Sequence, residues 1–403
     1  MANKLAPIFI VGVPRSGTTL LAAMLAAHSC LSSGPETHFY RWLRKVSPEE
    51  LLEAETWPDK AVDFLFSIVR ETYLQVEAKS LPEKYGLDRD QIYTFLSRSE
   101  PSIAAILSSI TELHMRRMNK IRWVEKTPDH IENLTDIRKS FPDAYVIRII
   151  RDPRDTALSL GKMPWWKRSF LEGLQYWKRL ENNSREFFVN DRLAYTLRFE
   201  DLVLNPAGEL CKICDFVGLS FEPNMLDTSQ SAKMVNSTDA PWKTKASQPL
   251  DGKRINAWEK ELSPADNLLA ESYLGDCLDL YNYRRIENLP NYAMIFPSNK
   301  SLPEYPGEML PIISQHVRFW SISNAEPPNI RIFIGDPADG DWKNKYRPAG
   351  VYPVVLMAEL IAHRIRRGKI IWISDDKKTW TGLTAFFLKK VLALLETELD
   401  SIP

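Results

Sequence analysis

The stretch FIVGVPRSGTTLL, residues Phe9 to Leu21, decides how the rest of the chain is read. Ile8 to Val11 is a short apolar run that predicts a strand, Gly12 opens a turn, and TTLLAAMLAAH from Thr18 is rich in strong helix formers. Gly12, four residues, then Gly17-Thr18-Thr19 is the spacing of a phosphate-binding loop, yet Thr18 stands where such a loop carries lysine. Between a strand and a helix, the backbone N–H groups of Ser16, Gly17, Thr18 and Thr19 point at a bound anion, and the helix dipole adds to them. The loop lysine serves β- and γ-phosphates and the hydroxyl after it serves Mg²⁺. A loop without that lysine therefore suits a shorter anionic chain and no metal. Arg15 offers a planar fork for phosphate or sulfate instead. The competing reading is an ordinary turn with a solvated arginine.

A second basic group follows in VIRIIRDPRDTALSL. Arg151 ends a predicted strand, Asp152 is an N-cap, Pro153 fits the first helical position, and Asp155 completes a pattern like a capping box. Ser159 lies about two turns into that helix, and helical side chains lean toward the N-terminus, so Ser159 and Arg151 are placed to grip one phosphate. The plainer reading makes Arg154, with Asp152 or Asp155, a surface ion pair.

Outward from these motifs, IRWVEKTP, AYVIRIIRDPRD and RLAYTLRFEDL predict three further strands with helices between them. Nearly continuous apolar strands alternating with helices predict an α/β fold, a three-layer parallel sheet of the phosphate-loop type covered by helices on both faces. Residues 48–120 carry helical periodicity and form an insert in a first domain spanning 1–289. Residues 290–328 are proline-rich and aperiodic, and are read as a linker or extended arm. A small α/β unit over 329–403 then follows, with strands at NIRIFIGD and KIIWISDD and helices at YPVVLMAELIAHRIRRG and LTAFFLKKVLALLETEL.

Together the two anion motifs resemble the sulfotransferase superfamily, which uses 3′-phosphoadenosine 5′-phosphosulfate (PAPS) as donor. VPRSGTTLLAAMLAAHSCLSSGPETHF looks most like the branch of tyrosylprotein sulfotransferases and their bacterial relatives. The likeness covers roughly residues 5–285 and includes EKTP at Glu125, RDPRD at Arg151 and RFEDLVLNP from Arg198. It implies that Arg15, Ser16, Gly17, Thr18 and Thr19 surround the 5′-phosphosulfate and that Arg151 with Ser159 holds the 3′-phosphate. It places the catalytic carboxylate at Glu36 and a lysine on the transferring sulfuryl group at Lys126, with no metal required. Lys253 and Arg254 fall near a late loop that closes over the nucleotide in that branch.

Sulfuryl transfer is an in-line displacement in which cations stabilise charge on the bridging oxygen, a task for Lys126 and Arg15. The acceptor hydroxyl loses its proton as the S–O bond forms, and Glu36 suits the general base, with His38 as rival base or pocket residue. The branch has arginine where this chain has His38 and tyrosine where it has Phe199, which leaves peptide specificity open. Trp165 and Trp166 in KMPWWKRSF are candidates for the acceptor wall, or core aromatics. The acceptor is a small molecule, glycan or peptide hydroxyl. A kinase-like phosphotransferase and a non-catalytic nucleotide-binding scaffold are the competing readings.

Composition bounds the rest. The 403 residues are 44% apolar, and 52 basic against 52 acidic residues leave no global field to recruit nucleic acid or an anionic membrane. The N-terminal apolar run is too short for a signal segment, and nothing reaches the roughly 18 apolar residues of a membrane span, which predicts a cytoplasmic protein. Cys211 and Cys214 in CKIC lack further ligands at metal spacing and fall on a helical apolar pattern, so both are read as buried structural thiols. Asp336, Asp375 and Asp376 are read as caps or turns of the C-terminal unit.

Overall fold

The computed structural model describes residues 5–69, 78–168, 170–235, 247, 252–262, 264–286, 292–296, 330–334 and 369–372. They fall into two compact units, residues 1–167 with 176–260, and 168–175 with 261–403.

The first unit is built on five parallel strands: β1 (Ile8–Val11), β2 (Leu31–Ser33), β3 (Arg122–Lys126), β4 (Tyr145–Ile150) and β5 (Ala194–Arg198), in spatial order β2-β3-β1-β4-β5. β1 lies between β3 and β4, with Ile8 opposite Val124 and Tyr145. Strand alternation sends neighbouring residues of β1 to opposite faces. Ile8 and Ile10 join Val124, Ile147, Ile149 and Leu197 against the helices Thr18–Ala26 and Pro206–Val217. Phe9 faces the other way, with Trp123 and Phe141 ring centroids 5.5 and 5.4 Å from its own. That second face also takes a buried ion pair, Arg148 to Glu181 at 2.7 Å, from the helix Phe170–Asn190. β1 is wholly buried, so the loop after it starts from a rigid base.

The insert forms short helices, Pro48–Leu51, Asp59–Ser67, Leu81–Lys84 and Arg89–Ser97, and a longer one, Ile103–Arg117. Local capping sets their starts: Asp88 accepts from Gln91 N at 2.9 Å and Ser102 from Ala105 N at 3.1 Å.

The second unit contains the helix Pro264–Leu280 and three parallel strands, β6 (Tyr292–Phe296), β7 (Ile330–Ile334) and β8 (Lys369–Trp372), ordered β7-β6-β8. Residues 292–296, expected to begin a linker, are instead the central strand of this sheet. YAMIF is a β-prone run that proline-rich flanks concealed. The helices expected over 352–368 and 383–399, and Asp336, Asp375 and Asp376, lie outside the described residues.

The CKIC reading holds for one thiol only. Cys214 is buried in the core, where burial pushes its thiol up to about 11, while Cys211, three residues earlier on the same helix, is half-exposed. No helix among the described residues is long and apolar enough to cross a membrane.

Candidate active site

The loop between β1 and the helix Thr18–Ala26 is strained at a predicted site residue, Arg15. Five non-glycine residues among the described ones have positive φ; three are asparagines, which tolerate it, and the other two are Arg15 (78°) and His38 (49°). Both belong to the predicted site. Gly17, at φ 103°, presses on Phe199 so closely that an added Cβ would sit 2.4 Å from the ring. Ser16 is buried, and its hydroxyl has no hydrogen-bond partner.

From this loop a chain of cationic groups runs across the ends of β1 and β4. Arg15 Nε donates to Ser159 Oγ at 3.2 Å, and Arg151 donates to the backbone oxygens of Arg15 at 3.3 Å and Arg254 at 2.7 Å. Burial holds the Arg15 guanidinium down to about 10, with Arg151 and Arg254 adding repulsion and Glu36 opposing them. Among the described residues no carboxylate pairs directly with Arg15. Arg151 stands over the Phe199 ring at 4.8 Å, and its buried Nε has no hydrogen-bond partner. Ser159, on the helix Pro153–Gly161, thus sits on Arg15, to which Arg151 also donates. The two anion motifs become one site.

The expected roles within RDPRD change. Asp152 caps its helix through Arg154 N at 2.9 Å, but its own N–H goes to Glu200 at 2.9 Å, where a capping box would have used Asp155. Asp155 instead accepts from Trp258 N at 2.9 Å. Burial pushes its carboxyl up to about 6, against the pull of Arg151 at 3.5 Å. Nor is Arg154 a surface residue: it is fully buried, paired with Asp152 at 2.8 Å and lying 3.5 Å above the Trp258 ring. These contacts fasten residues 254–258 to the motif. Lys253 lies in the turn Gly252–Arg254 just before them.

On the other side of the loop lies the predicted chemistry. Lys126 Nζ, at the end of β3, is 2.7 Å from Glu36 Oε1 and 3.3 Å from Thr19 Oγ1. Glu36 Oε2 is 3.2 Å from His38 Nε2, whose Nδ1 is 2.9 Å from Asp129 Oδ2. Burial works against the charge of Asp129, yet His38 and His130 hold it down to about 2, so it stays ionised and His38 Nδ1 is the donor.

Beneath this row is a buried cradle. Glu125 accepts from Thr37 Oγ1 at 2.7 Å and Thr127 Oγ1 at 2.5 Å and pairs with His130 at 2.9 Å, while Thr127 Oγ1 takes the backbone N–H groups of Thr37 and His38. Burial opposes the charge on both members, but each partner prevails: Glu125 is held below its ordinary value and His130 above. Tyr85, from the insert, closes the cradle by donating to Pro35 O, and Gly34 has room for no side chain, since a Cβ would meet the Tyr85 ring at 2.2 Å. Sequence reading assigned no role to Glu125, Asp129, His130 or Tyr85. A glutamate inside an apolar strand followed five residues later by histidine was the available signal, because a buried charge needs a partner.

Trp165 and Trp166 are half-buried and meet edge-on with centroids 6.3 Å apart, and Trp166 packs at a tilt on Tyr176 at 5.5 Å, beyond the end of the helix Pro153–Gly161.

A family model described as the sulfotransferase family matches residues 7–223, more than half of the 403-residue chain. The chain belongs to the sulfotransferase family. It is an enzyme of sulfuryl transfer. It is 24% identical over 307 residues to protein-tyrosine sulfotransferase 2 of Gallus gallus, covering 71% of each chain. It is 25% identical over 307 residues to protein-tyrosine sulfotransferase 1 of Danio rerio, covering 72% of this chain and 76% of that one. Among solved structures it is similar to the sulfotransferase domain of the Synechococcus PCC 7002 olefin synthase, with 21% identity, 68% of this chain and 96% of that chain covered, and a TM-score of 0.46. The matched segment contains Arg15, Glu36, Lys126, Arg151 and Ser159, and ends before Arg254.

Proposed function

We propose that this sulfotransferase uses PAPS as donor and a hydroxyl as acceptor, with Glu36 as general base. The observation that carries the reading is the continuous row Arg254–Arg151–Arg15–Ser159, which meets Lys126 and Glu36 at Thr19. Guanidinium groups gathered without a direct carboxylate for Arg15 are stabilised by an anion. The unpartnered Ser16 hydroxyl and Arg151 Nε are groups such an anion would satisfy. In this reading the 5′-phosphosulfate lies against the loop from Arg15 to Thr19 and the 3′-phosphate against Arg151. The donor supplies a sulfuryl group bound to a phosphate that leaves readily.

The protein's own groups then have separate tasks. Arg15 and Lys126 stabilise negative charge at the reacting centre. Glu36 removes the acceptor proton as oxygen bonds to sulfur, and the bond between sulfur and the bridging oxygen breaks to leave 3′-phosphoadenosine 5′-phosphate (PAP). Lys126 lies on Glu36 here, and moving it toward the sulfuryl group would free that carboxylate oxygen for the acceptor. Because the vertebrate relatives are named protein-tyrosine sulfotransferases, a phenolic hydroxyl is the first acceptor to try.

The test is calorimetric binding of PAP without Mg²⁺, together with transfer of ³⁵S from labelled PAPS to tyrosine-containing peptides, simple phenols and glycans. Metal-independent binding and labelled product are expected. Binding of ATP with Mg²⁺ in preference to PAP, or phosphoryl transfer, would overturn the reading in favour of a kinase-like enzyme.

A further inference from the structure

Behind Glu36 stands a second titratable group that sulfuryl transfer by a lone carboxylate does not require. His38 Nε2 lies 3.2 Å from Glu36 Oε2, and His38 Nδ1 lies 2.9 Å from Asp129 Oδ2. The imidazole is held there at a cost: it occupies the left-handed region at φ 49°, and its backbone N–H is tied to Thr127 Oγ1. Its side chain is 10% exposed and that of Glu36 is 9% exposed, so both are surrounded mainly by protein. Charged groups around the row include Lys126 on Glu36, Arg15, whose charge Glu36 favours, and His130, which acts on Asp129 from the cradle below and is itself paired with Glu125.

We propose that His38 is a relay that takes over the acceptor's proton from Glu36, with Asp129 holding its ring and stabilising the imidazolium. This rests on Glu36 being the base. Asp129 has a buried second oxygen without a hydrogen-bond partner, so its charge depends on the adjacent ring and favours the imidazolium. Because Asp129 fixes the proton on Nδ1, Nε2 presents its lone pair to Glu36 whenever the ring is neutral. The Glu36 to His38 hydrogen bond then needs one shared proton. The ionised carboxylate with neutral histidine is the state that reacts.

The proton balance is complete within these residues. The acceptor oxygen bonds to sulfur as its O–H bond to hydrogen breaks, and Glu36 receives that proton. Glu36 passes it to His38 Nε2 and returns to the carboxylate, leaving imidazolium between two carboxylates. Once PAP and sulfated product have left, the proton passes from the imidazolium to water. Glu36 and His38 thus act as one base, the logic of a nucleophile's base oriented by a third group.

Two measurements test the relay without an identified acceptor. The first is the pH dependence of ³⁵S-sulfate release from labelled PAPS, with water as acceptor, in wild type, His38→Gln, Asp129→Asn and Glu36→Gln. Wild-type rate rises with pH along a limb set by loss of one proton. In His38→Gln that limb disappears and the maximal rate falls about 10- to 100-fold, with PAP affinity unchanged. The second is ¹⁵N NMR of the His38 ring in the PAP complex. Nδ1 stays protonated throughout, and Glu36→Gln lowers the Nε2 midpoint by about one unit or more. A His38→Gln enzyme with the wild-type profile and rate, or a midpoint indifferent to Glu36→Gln, would overturn the relay while leaving Glu36 as base. Retained turnover in Glu36→Gln with none in His38→Gln would overturn both, and make His38 itself the base.

Discussion

Lys126 Nζ lies 2.7 Å from Glu36 Oε1, a contact spanning 90 residues of sequence that joins the cation proposed to stabilise the sulfuryl group to the carboxylate proposed to take the acceptor proton. The lysine side chain is fully buried and the glutamate nearly so. Lys126→Ala is expected to lower kcat for sulfuryl transfer about 100- to 1,000-fold, the scale of losing one charge-stabilising donor at a transition state. PAP affinity should change by only a few fold. Equal losses in PAP binding and kcat would mean that Lys126 serves ground-state binding.

Arg151 carries the other end of the site. Arg151→Ala removes its two bonds to backbone carbonyls and the cation beside Phe199, and PAP binding should weaken by about 1.5–3 kcal/mol, roughly 10- to 100-fold. Arg151→Lys keeps the charge and loses the fork, so its affinity falls between the two. Titration calorimetry of the three proteins decides; a lysine variant as weak as the alanine variant would show that geometry alone matters.

Gly17 is a steric test of the loop. Gly17→Ala places a Cβ 2.4 Å from the Phe199 ring at φ 103°, and both strains should lower stability by about 1–3 kcal/mol and abolish PAP binding. Adding Phe199→Ala relieves the clash but not the backbone strain. Thermal melts of the single and double variants separate the two contributions, and an unaltered melting temperature in Gly17→Ala would refute the tight approach.

The Glu125 and His130 pair makes stability depend on pH in a defined window. Glu125 is held below its ordinary 4.5, so its contribution is present above pH 4.5 and lost as pH falls through its folded value. His130 is raised above 6.5, so its contribution is full below pH 6.5 and lost as pH rises through its folded value. The pair therefore contributes most between about pH 4.5 and 6.5. Melting temperature should decline above that window in wild type and less steeply in His130→Gln, which itself costs about 3–5 kcal/mol by stranding a buried carboxylate. Parallel declines in the two proteins would remove His130 from the account.

Asp155 links nucleotide binding to protons. Its carboxyl is pushed up to about 6 and faces Arg151 at 3.5 Å, so a phosphate on Arg151 adds negative charge nearby and raises it further. Binding of PAP near pH 6 should then take up a proton, seen as a calorimetric enthalpy that varies with the ionisation enthalpy of the buffer. Asp155→Asn should abolish that variation. Buffer-independent enthalpy in wild type would sink the linkage.

Local features were legible from sequence because their causes are local. The run Ile8–Val11, the glycines around Arg15 and the helix formers after Thr18 define strand, loop and helix within 20 residues. The order of RSGTT, GPETH, EKTP and RDPRD carried the family, and with it Glu36, Lys126 and Arg151. The pattern failed where a residue's partner was distant in sequence. Asp155 and Arg154 look like members of a helix-start motif, and only their burial against Trp258 shows that they clamp a segment 100 residues away. The strand Tyr292–Phe296 was hidden by prolines on either side of a short β-prone run.

The amino-acid order by itself determined the parallel α/β plan, the anion loop and the residue types available for charge stabilisation and proton removal, since backbone propensity and spacing act over a few residues. Only tertiary structure decided which groups meet: Ser159 on Arg15, His38 between Glu36 and Asp129, and Glu125 beneath Thr37. Those pairings form because buried polar groups must find partners through space. No spacing rule along the chain carries that information.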